Sequence, residues 1–183
     1  MAILRILFWW ALAFLLYPTV AIEKPAAAES SPLGDIPDDQ VFVTYSSPLG
    51  FAVKVPEGWA RGETDAAVSF ADKYNRIEIA LGQAEAAPTE PLIKKMAADL
   101  ERADPAFKLT KITSIRLPAG SVVAMSFASN SEPNSVTGKA ARLENARYFY
   151  FHDGKLATLT LSAPMGADNV DVWKLISESF HWQ

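Results

Sequence analysis

The sequence predicts an α+β domain, an α/β/α sandwich whose mostly antiparallel central sheet has about six or seven strands flanked by helices. Three observations predict it. Short blocks with apolar residues at every second position recur through the chain, as half-buried strands require. Consecutive blocks are joined by tight turn signals, so neighbours in sequence pair antiparallel. Two segments with helical periodicity interrupt them, which sets the order strands, helix, strands, helix.

The first strand begins at Val41, where Val41, Val43 and Tyr45 alternate with Phe42 and Thr44. Ser46-Ser47-Pro48-Leu49-Gly50 turns the chain, and Phe51, Val53 and Val55 then share one face of a second strand. Pro56-Glu57-Gly58 ends it, leaving Trp59 to cover the end of a core. Ala66–Ala71 and Arg76–Leu81 are the next two strands, with Val68 and Phe70 on one face and Ile77, Ile79 and Leu81 on the other's. Asp72-Lys73-Tyr74-Asn75 is the turn between them. Thr89–Arg102 reads as a helix. Thr89 can cap it, Pro91 is tolerated in its first turn, and Leu92, Met96 and Leu100 recur every four residues, widened by Ile93 and Ala97.

Phe107–Leu117 is a long strand whose alternation slips near Lys111, the signature of a bulge. Pro118-Ala119-Gly120 turns into a strand over Ser121–Ala128. The strongest strand, Ala146–Phe151, leads through Asp153-Gly154 into Leu156–Ala163. Asp-Gly tolerates two positive φ angles, so a two-residue loop sets His152 against Lys155, Phe151 against Leu156 and Tyr148 against Leu159. Both faces of this hairpin carry large apolar groups, which places it at the centre of the sheet. A last helix runs from an Asp168 cap to about Phe180, with Trp173, Ile176 and Phe180 on its buried face.

The N-terminus predicts export. One basic residue, Arg5, precedes Ile6–Ile22, which holds no charge. The dense apolar part, Ile6–Tyr17, stops at Pro18. At about 1.5 Å per helical residue it reaches about 18 Å, short of the roughly 30 Å of a hydrocarbon core. A signal peptide over residues 1–28, cut after Ala28 in Ala26-Ala27-Ala28, fits better than a retained anchor helix; a cut after Ala21 is the alternative site. Residues 29–40, with prolines, serines and aspartates, read as a flexible linker, and residues 41–183 as the domain. The expected location is periplasmic or secreted, with no stable membrane insertion after cleavage.

Composition narrows the function classes. There is no cysteine, so disulfides, thiol nucleophiles, cysteine zinc sites and a lipidated N-terminal cysteine are excluded. The net charge is −4, and loss of Arg5, Lys24 and Glu23 with the signal takes it to −5. Signs are interspersed, so nucleic acid is not an expected partner. No G-x-S-x-G elbow and no glycine-rich phosphate loop occur. Of the two histidines, His152 lies beside Asp153, which makes that pair the candidate metal ligands; the expectation is no metal and no cofactor. Asp72, Glu78, Glu144 and Asp153 read as solvated carboxylates at sheet margins, and Arg142, Glu144 and Arg147 as a surface ion set. Trp59, Tyr148 and Tyr150 are the candidate ligand or partner surface, while Trp59, Trp173 and Trp182 could line a cleft or plug core ends.

Several of these segments carry a resemblance. The run Tyr45 to Trp59, YSSPLGFAVKVPEGW, resembles the opening of PsbP-like domains, in which a Gly-Phe hairpin enters a Pro-x-x-Trp strand end. Val68–Asp72 is similar to the next family strand, Leu117–Gly120 to its mid-chain turn, and Asp153–Leu156 and Ser177–Phe180 to its last hairpin and helix end. The similarity spans Phe42–Phe180. It implies an α/β/α sandwich and a non-enzymatic role binding or stabilising larger assemblies. Members include extrinsic photosystem II subunits, a Ran-binding Mog-type protein and exported bacterial DcrB-type proteins. The export signal, the missing lipidation cysteine and the unmatched histidines point to the bacterial exported branch. The expected function is thus an exported accessory protein docking on another envelope protein or complex. A periplasmic module binding a lipidic or aromatic molecule is the alternative, and a hydrolase with an unrecognised carboxylate site comes last.

Overall fold

A computed structural model describes residues 34–183. The predicted signal peptide and the start of the predicted linker lie outside the described residues. Ten strands and two helices follow in the order β1 Phe42–Ser47, β2 Phe51–Pro56, β3 Ala60–Glu63, β4 Ala67–Asp72, β5 Asn75–Gln83, α1 Glu90–Ala103, β6 Lys108–Leu117, β7 Gly120–Asn130, β8 Arg142–His152, β9 Lys155–Pro164, α2 Val170–Ser179 and β10 His181–Trp182. Seven strands form an antiparallel sheet in the order β3-β4-β5-β9-β8-β7-β6. A second sheet has the order β1-β2-β10.

The β8–β9 hairpin sits mid-sheet with the expected register, His152 opposite Lys155 and Tyr148 opposite Leu159. Asp153 and Gly154 have φ of 47° and 76°, the two positive angles its tight turn demands. The slip in β6 is a bulge between Leu109 and Lys111. It restores phase, so that Leu109 and Ile112 share one face of the sheet while Thr113 and Ile115 hold the other.

The two faces carry separate cores. On one, Phe51, Val53 and Val55 of β2 and Ile176 of α2 pack with Val68, Phe70, Ile77, Ile79, Leu159, Leu161 and Tyr150. On the other, Ile93 and Ala97 of α1 cover Val123, Met125, Phe127 and Phe149. Each fully buried large apolar side chain contributes about 1.5–3 kcal/mol relative to exposure.

Four local features differ from the sequence reading. The first hairpin leaves the central sheet and pairs with β10, through Phe51 opposite Trp182. A two-residue strand is too short to show alternation. β3 was not expected either, because all four of its residues are exposed and show no pattern. The α1 stripe is centred on Ile93 and Ala97, which leaves Leu92 57% exposed. Asn169, not Asp168, occupies the cap position of α2.

The expected flexible linker needs correction over its described part. Residues 34–40 are held against the domain, with Ile36 buried. The Ile36 N–H donates to Asn169 Oδ1 at 2.8 Å, and Asn169 Nδ2 donates to the Gly34 carbonyl at 2.9 Å. The Asp168 N–H donates to Asp35 Oδ1 at 2.8 Å. Composition alone concealed this, because one apolar residue among polar ones carries the docking.

Candidate functional site

The seven-stranded sheet and α2 together build an open groove. Residues 170, 173, 174, 177 and 178 lie three and four apart and form one stripe of α2. They face a sheet patch in which Ser126 pairs with Ala146, next to Ile115, Leu117 and Tyr148. Small side chains make the floor, while Tyr148, Ile115, Leu117 and Trp173 make apolar walls around about 370 Å³. Lys174 and Glu178 mark its polar rim, and Val170 stands 73% exposed at one end.

Tyr148 lines this groove. Burial pushes its phenol above the ordinary tyrosine value, and the neighbouring Ser177 hydroxyl works the other way. Tyr150 does not belong to any surface. It is almost wholly buried, stacks on Phe180 at 4.2 Å, and donates its hydroxyl to the Ser177 carbonyl at 2.7 Å. Alternation on β8 puts 148 and 150 on one face, but α2 covers only the second completely.

That burial has a pH consequence. Desolvation raises the Tyr150 pKa far above its ordinary value, with the Tyr148 charge a smaller contribution in the same direction. Below about pH 10 both folded and unfolded chains keep the phenol protonated, so nothing is lost. Above that, the unfolded chain releases the proton and the folded chain retains it, so stability falls as pH rises. Urea unfolding at pH 9 and pH 11 should show this loss. In Tyr150→Phe its slope should be shallower, against a lower baseline from the missing hydrogen bond.

Trp59 lies elsewhere. It lines a groove of about 340 Å³ with Val43, Val55, Arg61 and Phe70. Trp59 and Tyr148 thus serve two grooves and do not form one cleft. Trp182 lines neither; it meets Phe180 edge-on at 5.4 Å. Trp59, Trp173 and Trp182 are all partly buried against the first core, and Trp59 and Trp173 in addition line separate grooves.

His152 Nε2 lies 3.3 Å from Asp153 Oδ2, both side chains exposed. Among the described residues no group of three or more histidine, aspartate or glutamate side chains converges as metal ligands, so this pair has no third donor. The carboxylates are dispersed too: Glu78 and Glu144 occupy opposite faces of the sheet. Glu78 Oε2 is held by Arg76 at 3.0 and 2.8 Å. The expected ion set of Arg142, Glu144 and Arg147 does not form. Arg142 donates to the Ala106 carbonyl, and Arg147 turns to the other face, 5.2 Å over the Phe127 ring.

One arrangement had no sequence signal. A pocket of about 600 Å³ lies between α1 and the edge strand β6, lined by Pro91, Lys94, Leu109, Lys111 and Ile112. Two α1 carboxylates guard this edge. Glu90 accepts from the Ser114 N–H at 2.7 Å, and Glu101 from the Leu109 N–H at 3.2 Å. They occupy two backbone donors that another strand would need, and the bulge and the lysines at 108 and 111 further disfavour edge pairing. Glu90→Ala should destabilise by about 1 kcal/mol, measured by thermal unfolding, and speed hydrogen exchange at Ser114.

Comparison with solved structures places this architecture. The cyanobacterial PsbP, CyanoP, of Synechocystis superposes with a TM-score of 0.56 and 15% identity, over 84% of this chain and all of that one. The Ran-binding protein Mog1p of Saccharomyces cerevisiae gives 0.54 and 8%, over 79% and 96%. The chain has the PsbP and Mog1p fold. PA94 of Pseudomonas aeruginosa, a protein of unknown function, shares this PsbP fold at 0.51 and 15%, over 75% and 94%. No family model and no curated protein matches the sequence. At such identities the PsbP fold is what is shared, and function must come from the grooves and faces of this chain. Among the described residues no helix is long and apolar enough to cross a membrane.

Proposed function

We propose that this chain is an exported, non-enzymatic accessory protein of the bacterial exported PsbP-like branch. It docks on an envelope protein complex through the groove between α2 and β6–β8. The observation that carries the reading is the groove itself: apolar walls from Tyr148, Trp173, Ile115 and Leu117, open to solvent, with Val170 exposed at its rim. Such a trough accepts one or two apolar side chains of a partner, the usual form of an interface anchor. Mog1p, with the same fold, is a Ran-binding protein, which supports protein binding as the use of this scaffold. The signal-like residues 1–28 support the periplasm or exterior as its place of work.

Val170→Asp tests it. The side chain is exposed, and an acidic residue in the first turn suits the helix dipole, so folding should be unaffected. Crosslinking in the native envelope should lose the partner at least tenfold in this variant. An undiminished yield contradicts docking at this groove.

A second reading has its own support. The Trp59 and Tyr148 grooves, about 340 and 370 Å³, fall within the size range of small-molecule sites. A lipidic or aromatic ligand should then quench or shift tryptophan emission, and a flat response across a broad panel removes this reading.

A further inference from the structure

The face of the seven-stranded sheet that carries α1 is only partly covered. α1 rests on β6 and β7, while α2 packs on β2 behind the opposite face. Beyond α1, the strands β4, β5 and β9 present Ser69, Glu78, Ala80, Thr158, Thr160 and Ser162, mostly short and hydroxylated, while Asn145 of β8 is buried beneath Ser162. One row across it reads Ser69, Glu78, Thr160, Arg147, Met125.

Arg147 is the unusual member of that row. Its guanidinium is half-buried and fixed from two sides: Nε donates to Thr160 Oγ1 at 2.9 Å, and Cζ lies 5.2 Å over the Phe127 ring. Among the described residues no carboxylate reaches ion-pair distance of it. The nearest acid, Glu78, already receives two hydrogen bonds from Arg76. Burial lowers the Arg147 pKa, with Glu78 opposing. A partly desolvated cation without a counter-charge is a costly feature unless something else completes it.

We infer that this open sheet face docks an acidic segment of a protein partner, with Arg147 receiving a partner carboxylate through its two free amino groups. A planar guanidinium held in place offers the fork that a carboxylate fits bidentately. The partly exposed serine and threonine hydroxyls around it can bond an extended backbone lying across the strands. The charge pattern selects this occupant. Arg76, Glu78 and Arg147 leave the face one net positive charge, enough for a single carboxylate. Nucleic acid and anionic membranes need many cations, and the chain's net charge of −4 opposes them. The face lies opposite the α2 groove, so this surface is separate from that docking site although both presume a protein partner.

The direct test follows the Arg147 Nε–Hε resonance in 15N-labelled protein titrated with hexaglutamate, hexalysine and inorganic phosphate. Hexaglutamate should shift it saturably, together with the Thr160 and Ser162 amides, and hexalysine should not. Arg147→Gln should abolish binding, and Arg147→Lys, which keeps charge but loses the fork, should weaken it about tenfold. An unmoved Arg147 resonance overturns the inference. So does an equal response to phosphate, which would reveal a small-anion site only, or full binding by a folded Arg147→Gln variant. Envelope crosslinking separates the two surfaces. Partner loss in Val170→Asp but not in Arg147→Gln keeps the groove and overturns this face; the reverse keeps this face and overturns the groove.

Discussion

Phe180→Ala should lower the unfolding free energy by about 3–5 kcal/mol, the range for removing a buried aromatic ring. Phe180 is wholly buried at the exit of α2, stacked between Phe51 at 5.6 Å and Tyr150 at 4.2 Å, with Trp182 edge-on. It joins the helix, the small sheet and the central sheet at one point. Truncation leaves a cavity that three rigid rings cannot collapse to fill. Domains have only about 5–15 kcal/mol in hand, so the variant should be marginal at 37 °C. Urea unfolding measures the loss, and Phe180→Leu should recover more than half of it. An alanine variant within 1 kcal/mol of the parent would mean that the three-ring stack is not the centre of the core.

The second large effect is expected at Asn169. Its buried side chain bonds both the Ile36 N–H and the Gly34 carbonyl. Asn169→Ala strands these two groups and itself leaves a small hole, at about 1–3 kcal/mol for each buried group left unsatisfied. The loss should be local first. Hydrogen exchange at Ile36 should accelerate strongly while Tyr150 keeps its protection, because residues 34–40 can detach without opening the sheet. Gly34→Ala should act the same way by another route. Gly34 has φ of +98°, and an added Cβ would lie 2.4 Å from Pro164 Cδ. If Ile36 exchanges at the parent rate in both variants, the docked segment is not held by these contacts.

These two sites also show what the sequence made legible. Phe180 announced itself through helical spacing with Trp173 and Ile176, and Tyr148 through the Asp-Gly register. Local periodicity and turn chemistry settle such residues before any tertiary contact forms. Asn169 and Ile36 gave no signal, since their partnership joins positions 133 apart in sequence. The same limit hid β10, whose two residues become a strand only because Phe51 lies beside them. It misplaced Tyr150 and Arg147 as well. Alternation says which face a strand residue takes, but not whether a helix then covers it. The groove is legible in the sequence only to that extent: Tyr148 has a face and α2 is a helix, but nothing in either segment says that they meet. Sequence proximity groups Arg147 with Glu144, three residues away, although odd and even positions of β8 look in opposite directions.

The central claim, an exported protein that docks on an envelope complex, is tested most directly by one mass spectrum. Tagged protein is purified from its own envelope after mild crosslinking, and both its N-terminus and its adducts are read. The account predicts a chain starting at Glu29 with one stoichiometric protein partner. A chain starting at Met1 or Ala2, or a start at Glu29 with no discrete partner, would contradict it.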